Sequence, residues 1–130
     1  MGIKMNVIKL ISLGFFMLLI IACDGKVYVE VYIDNESDYD LELHYKITGN
    51  IDESTKLVKA KDITMIHSYS RGAIVADVSD EIEYIELYFQ DTLVYQQNPI
   101  NVLLWDSGYT DDNEGHTKTL IIKNEDLDIN

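Results

Sequence analysis

Between residues 27 and 48 the chain alternates with a period of two. Val27, Val29, Val31 and Ile33 fall in one phase against Tyr28, Glu30, Tyr32 and Asp34 in the other. After Asn35-Glu36-Ser37-Asp38, a second run sets Leu41, Leu43, Tyr45 and Ile47 against Glu42, His44, Lys46 and Thr48. Only an extended strand puts every second side chain on one face, and β-branched and aromatic residues suit it best. Two such runs around a short polar break predict a hairpin.

The same signal recurs along the chain. Residues 55–59 form a short strand pattern, and residues 63–69 another with apolar side chains in both phases. Residues 82–89 place Ile85, Leu87 and Phe89 against Tyr84, Glu86 and Tyr88. Shorter patterns cover 93–96, 102–105 and 117–123, the last two flanking an acidic loop at 106–115. Seven or eight short strands at this spacing predict an all-β fold, an antiparallel β-sandwich of immunoglobulin-like size occupying 26–130 as one domain. Its expected core contains Val27, Val29, Val31, Leu41, Leu43, Ile85, Leu87 and Phe89. No window of a dozen residues after residue 22 carries a helical apolar stripe.

The first 22 residues differ in kind. They hold Lys4 and Lys9 but no acid, so the remaining 108 residues carry 8 basic and 23 acidic side chains, a net charge of −15. A basic flank, the apolar stretch Leu-Ile-Ser-Leu-Gly-Phe-Phe-Met-Leu-Leu-Ile-Ile and Ala22 at the break have the layout of a secretory signal. From Leu10 to Ala22 is 13 residues, short of the roughly 18 to 20 that a spanning helix requires.

Leu19-Ile20-Ile21-Ala22-Cys23 resembles a bacterial lipobox. The resemblance implies cleavage after Ala22, a thioether-linked diacylglycerol on Cys23 and usually a further acyl chain on its amine. Residues 1–22 are then a signal peptide and residues 23–25 a lipidated, very short tether. Cys23 is the chain's single cysteine, which excludes an intramolecular disulfide and a CxxC redox or metal motif. The protein is expected to be lipid-anchored at the cell membrane or the outer membrane, with its domain outside the cytoplasm. Asp24 resembles the inner-membrane retention signal of enterobacterial lipoproteins, a rule that other bacterial groups do not follow. The tyrosine-rich, acidic remainder, with the turns Lys59-Ala60-Lys61-Asp62 and Ser70-Arg71-Gly72, is similar to small β-sandwich lipoproteins of Bacteroidota, a likeness that carries over no active-site residue.

Chemistry-bearing motifs are sparse. A whole-chain net charge of −13 argues against nucleic acid as a partner. An EF-hand loop beginning at Asp34 would need Gly at its sixth position and an acid at its twelfth, where Tyr39 and Tyr45 stand. His44, His67 and His116 lie on separate segments without zinc-ligand spacing. There is no GxSxG or SxxK, and on a strand Ser68 and Ser70 point to the face opposite their neighbour His67, so their nearness in sequence does not make a dyad. No catalytic residue, metal site or cofactor is therefore expected. Aromatic residues are the better candidates for recognition: Tyr28 and Tyr32 share one strand face, Tyr84 and Tyr88 another. Trp105 and Tyr109 border the acidic loop and are the expected ligand contacts. The resulting expectation is a membrane-tethered binding or scaffolding module with a protein or glycan partner, not an enzyme. Its alternatives are a glycan-binding accessory to an envelope hydrolase and a structural subunit of an envelope complex.

Overall fold

The computed structural model describes residues 27–72 and 75–130. The signal peptide, Ala22 and Cys23 lie outside the described residues. Eight strands appear in chain order: β1 (Tyr28–Asn35), β2 (Leu41–Ile47), β3 (Ser54–Val58), β4 (Asp62–Ser70), β5 (Ile82–Phe89), β6 (Thr92–Gln97), β7 (Trp105–Tyr109) and β8 (His116–Ile122). A single turn of helix, α1 (Val78–Glu81), precedes β5, and two 3-10 turns occupy Val102–Leu104 and Asn124–Asp126. The strands form two four-stranded sheets, ordered β4-β1-β8-β7 and β3-β2-β5-β6. Every pairing is antiparallel except β1 with β8, which run parallel from Val29 opposite His116 to Asn35 opposite Ile122.

The sandwich core follows from the period-two pattern. Val31 and Ile33 of β1, with Trp105, Leu120 and Ile122, form one wall; Leu41, Leu43, Tyr45, Val58, Ile82, Ile85, Leu87 and Val94 form the other. Of the eight residues expected inside, six are buried. Val27 precedes β1 and is half-buried, and Phe89, at the end of β5, is half-buried with its ring edge-on to Tyr39 at 4.9 Å. Val27 stands just before β1 and Phe89 at the last position of β5, where it packs against the edge of the core.

The hairpin expected from residues 27–48 does not form. β1 and β2 belong to different sheets, and residues 36–40 arch across the core from one to the other. The arch is fixed by Asn35, which is fully buried: its amide donates to the carbonyls of Tyr39 (2.8 Å) and Val58 (3.1 Å) and accepts from Ser37 N–H and O–H. A two-residue reversal would have kept β1 and β2 in one ladder; this satisfied polar plug lets the chain change layers instead. The true two-residue hairpin joins β5 to β6 through Gln90 and Asp91. Both have positive φ, 48° and 64°, the geometry that matches the twist of paired strands.

Two other departures have local causes. β4 carries an irregularity opposite Val31/Tyr32: Val31 faces His67 while Tyr32 faces Met65, so Ile66 is the extra residue. The bulge brings Ile66 inward and leaves Ile63 and Met65 exposed, which accounts for apolar residues in both phases. Residues 102–104 form a 3-10 turn instead of a strand, with the Asn101 side chain accepting from Leu103 N. The strand begins at Trp105 and takes in Asp106 to Tyr109, residues expected to be loop.

Candidate ligand-binding cleft

The parallel pairing of β1 with β8 creates a concavity on the outer face of the first sheet. Glu30 and Tyr32 project outward from β1, and their register partners Thr117 and Thr119 from β8. Ile63 borders them from β4, and the β7–β8 turn, through Tyr109, Thr110 and Asp111, closes one end. Together these eight residues line a cleft of about 370 Å³. That volume lies in the range of small-ligand sites, and the lining combines aromatic and apolar surface with a few directed polar groups.

The turn that walls the cleft is held firmly. Thr110 and Gly115 exchange backbone and side-chain hydrogen bonds near 3.0 Å, and Asn113 N donates to Thr110 O at 2.9 Å. Asp112 accepts from Thr110 Oγ1, from Glu114 N at 3.0 Å and from the Tyr28 hydroxyl at 3.1 Å. These hydrogen bonds, led by that of Thr110, hold the Asp112 carboxyl below its ordinary range. Gly115 is required here, because a Cβ would stand 2.4 Å from the Tyr28 ring. Asp111 stays outside this network: among the described residues its carboxylate accepts no hydrogen bond, and the hydroxyls of Thr117 and Thr119 have no partner either. On the cleft floor, Tyr32 donates its phenol proton to Glu30, and this bond, with lesser contributions from desolvation and the Glu30 and Asp111 charges, pushes its pKa up to about 12. The ring is consequently neutral at any physiological pH.

The two aromatic residues singled out in the sequence part company. Trp105 is only 6% exposed; its indole N–H donates to Gln97 Oε1 at 3.0 Å inside the core. It is a core residue and not a surface contact, which corrects the expectation of an exposed ring beside the polar loop. The reason is phase: Trp105 pairs with Leu120, and both face the second sheet. Tyr109 shares that phase but lies at the far end of β7, where it is 69% exposed, sits 5.1 Å from the His116 ring and lines the cleft. The sequence also marked Tyr32 and the acidic turn; it missed Glu30, Ile63, Thr117 and Thr119, since only the β1–β8 register brings them together.

Two further groups of titratable side chains serve the fold. On the outer face of the second sheet, His44 contacts Glu42 and Glu53 and packs on Tyr88 at 4.6 Å, while the Tyr84 hydroxyl donates to Glu53 at 2.5 Å. At the end of the sandwich near α1, buried Glu81 pairs with Arg71 (2.5 Å) and His67 (3.3 Å), so its charge is compensated. Among the described residues, no three His, Cys, Asp or Glu side chains are grouped as metal ligands. In comparisons with known proteins, no family model, curated protein or solved structure matches the chain.

Proposed function

We propose that the chain is a lipid-anchored binding module of the bacterial cell envelope, attached through an acylated Cys23 and offering the β1–β8 cleft to a partner. The observation that supports this reading most is the nearness of the two features along the chain. Glu30, on the cleft floor, follows the lipobox cysteine by only seven residues, a reach of about 25 Å at full extension. A tether this short holds the cleft beside the membrane surface. One acyl chain binds a bilayer only marginally, whereas two or three make attachment nearly permanent, at about 0.8 kcal/mol per buried methylene. The acidic domain adds no attraction of its own, since a charge of −15 is repelled by anionic headgroups. The binding role, as opposed to catalysis, is favoured by the layout of the titratable groups. His44 and His67 pair with neighbouring carboxylates on separate faces away from the cleft, and His116 packs against Tyr109 at its border without lining it.

Mass spectrometry of the protein from native membranes tests the anchor: the N-terminal residue should be Cys23 carrying acyl chains, and Cys23→Ala should abolish processing. Full-length protein should partition into detergent, and a form beginning at Asp24 should remain in the aqueous phase. An unmodified Cys23 thiol in the mature native protein would refute the anchor. Solubilised in mild detergent, the protein should migrate with a retained partner; migration as a bare monomer from every membrane preparation would count against the binding role.

A further inference from the structure

We infer that the cleft receives the guanidinium group of an arginine from a basic segment of a partner protein. The inference deepens the binding-module reading and rests on the charge and shape of the lining. Two carboxylates, Glu30 and Asp111, open into the cleft, and among the described residues no lysine, arginine or histidine lines it. Asp111 accepts no hydrogen bond among the described residues, and Glu30 accepts only the Tyr32 proton. The hydroxyls of Thr117 and Thr119 supply further acceptors on the floor. The cleft therefore offers acceptors and negative charge around a neutral aromatic ring, and its own donors are hydroxyls that can equally accept. A guanidinium matches that inventory: five N–H donors in a planar fork, a fixed positive charge, and a flat face that stacks on an aromatic ring.

Other ligand chemistries fit less well. A phosphate, sulfate or carboxylate would meet two like charges and no cation. A neutral sugar supplies donors and a stacking face but leaves both carboxylates uncompensated. An ammonium brings charge as a compact, strongly hydrated point without the planar match to ring and carboxylate. The surrounding field selects in the same direction, because a domain of charge −15 draws basic segments toward itself from solution. The turn carrying Asp111 is already braced by the Thr110, Asp112 and Tyr28 hydrogen bonds, so little ordering is left to be done on binding.

The test uses full-length lipidated protein in polyoxyethylene detergent micelles and the fluorescence anisotropy of a fluorescein-labelled tetra-arginine peptide at about 100 mM salt. Glu30→Gln with Asp111→Asn should weaken binding about tenfold or more. Glu125→Gln with Asp126→Asn, the same charge change at the 3-10 turn after β8, should alter it by no more than about twofold. Tyr32→Phe keeps the ring and should bind nearly as well as the parent, whereas Tyr32→Ala should bind less tightly. Circular dichroism confirms folding of each variant. Equal weakening by the two double substitutions would reduce the effect to general charge and overturn the inference. So would absence of peptide binding, or binding of chitotetraose or cellotetraose that is lost with Glu30→Gln and Asp111→Asn, which would assign the cleft to glycan. A free Cys23 thiol would end the anchor reading and leave this result unaffected; equal weakening ends the inference and leaves the anchor untouched.

Discussion

Asn35 closes β1, and each of its polar side-chain atoms is used twice inside an otherwise apolar core. Truncation to Ala would remove the donor to the Tyr39 and Val58 carbonyls and the acceptor of the Ser37 N–H and hydroxyl, leaving Tyr39 O only its 3.4 Å bond from the Ser37 hydroxyl. The expected loss is about 2–4 kcal/mol, read as a lower urea midpoint with an unchanged slope. Asn35→Asp should cost more, because an acceptor replaces the donor that faces Tyr39 and Val58. Trp105 allows a milder test at the same scale. Its fluorescence should be protected from acrylamide in the folded protein, and Trp105→Phe should destabilise by about 1–2 kcal/mol, since Gln97 Oε1 retains Asn101 N as a donor. A freely quenched Trp105 would contradict the core position.

On β2 and β5, the outward-facing side chains form a titrating network. Desolvation works to lower the His44 pKa, but the Glu42 and Glu53 carboxylates outweigh it and raise the value above 6.5. The Tyr84 hydroxyl and then His44 lower Glu53 below 4.5, and Tyr84 itself is pushed up to about 12, chiefly by its bond to Glu53. His44 thus contributes stability that is fully present below pH 6.5 and is lost as pH rises through its folded value. Glu53 contributes above pH 4.5 and loses its share as pH falls through its own lowered value. The network is strongest between those limits. The stability difference between the parent and His44→Gln should accordingly shrink as pH is raised from about 6 to about 9, with the histidine ring protons titrating above their free-peptide value. Strands such as these were legible in the sequence because their alternation is local: the β5 pattern at 82–89 has the bounds of the strand itself. The layer change at Asn35 was not, since a polar quartet between two strands suits a hairpin and an arch equally well. The outcome depends on whether Asn35 finds Val58, 23 residues away. The strand at 102–105 was misplaced for a related reason: Val102 to Leu104 have strand composition, but the Asn101 side chain caps a 3-10 turn over them.

Across the whole molecule, the chain closes its first sheet by laying β8 beside β1, after every other strand has been placed in sequence. β1, β8, β2 and β5 each have two neighbours, whereas β4, β7, β3 and β6 lie at edges. Amide exchange should be slowest in the four interior strands. Deleting residues 116–130 should abolish cooperative unfolding altogether, because it removes β8 from between β1 and β7 and takes Leu120, Ile122 and Leu127 from the core. A sharp transition in that truncated form would show that the parallel ladder is dispensable. The cleft shares this dependence. Its aromatic and acidic components were visible in the sequence, but Glu30 meets Thr117 only through a pairing that spans most of the domain.

The position of β1 has a mechanical consequence. Under the proposed anchoring, any pull between the membrane and a bound partner enters the domain at the start of β1 and runs along that strand. β1 is held on one side by β4 and on the other by β8, with ladders running from Tyr28 opposite Ser70 and from Val29 opposite His116. Load applied along the strand axis is shared by many inter-strand hydrogen bonds at once, in shear, whereas an edge hairpin pulled from its open end would give way bond by bond. Resistance to such a pull is governed by the unfolding rate rather than by equilibrium stability. Attached in that way, the domain would meet a pull from the bilayer first along the β1 ladders with β4 and β8.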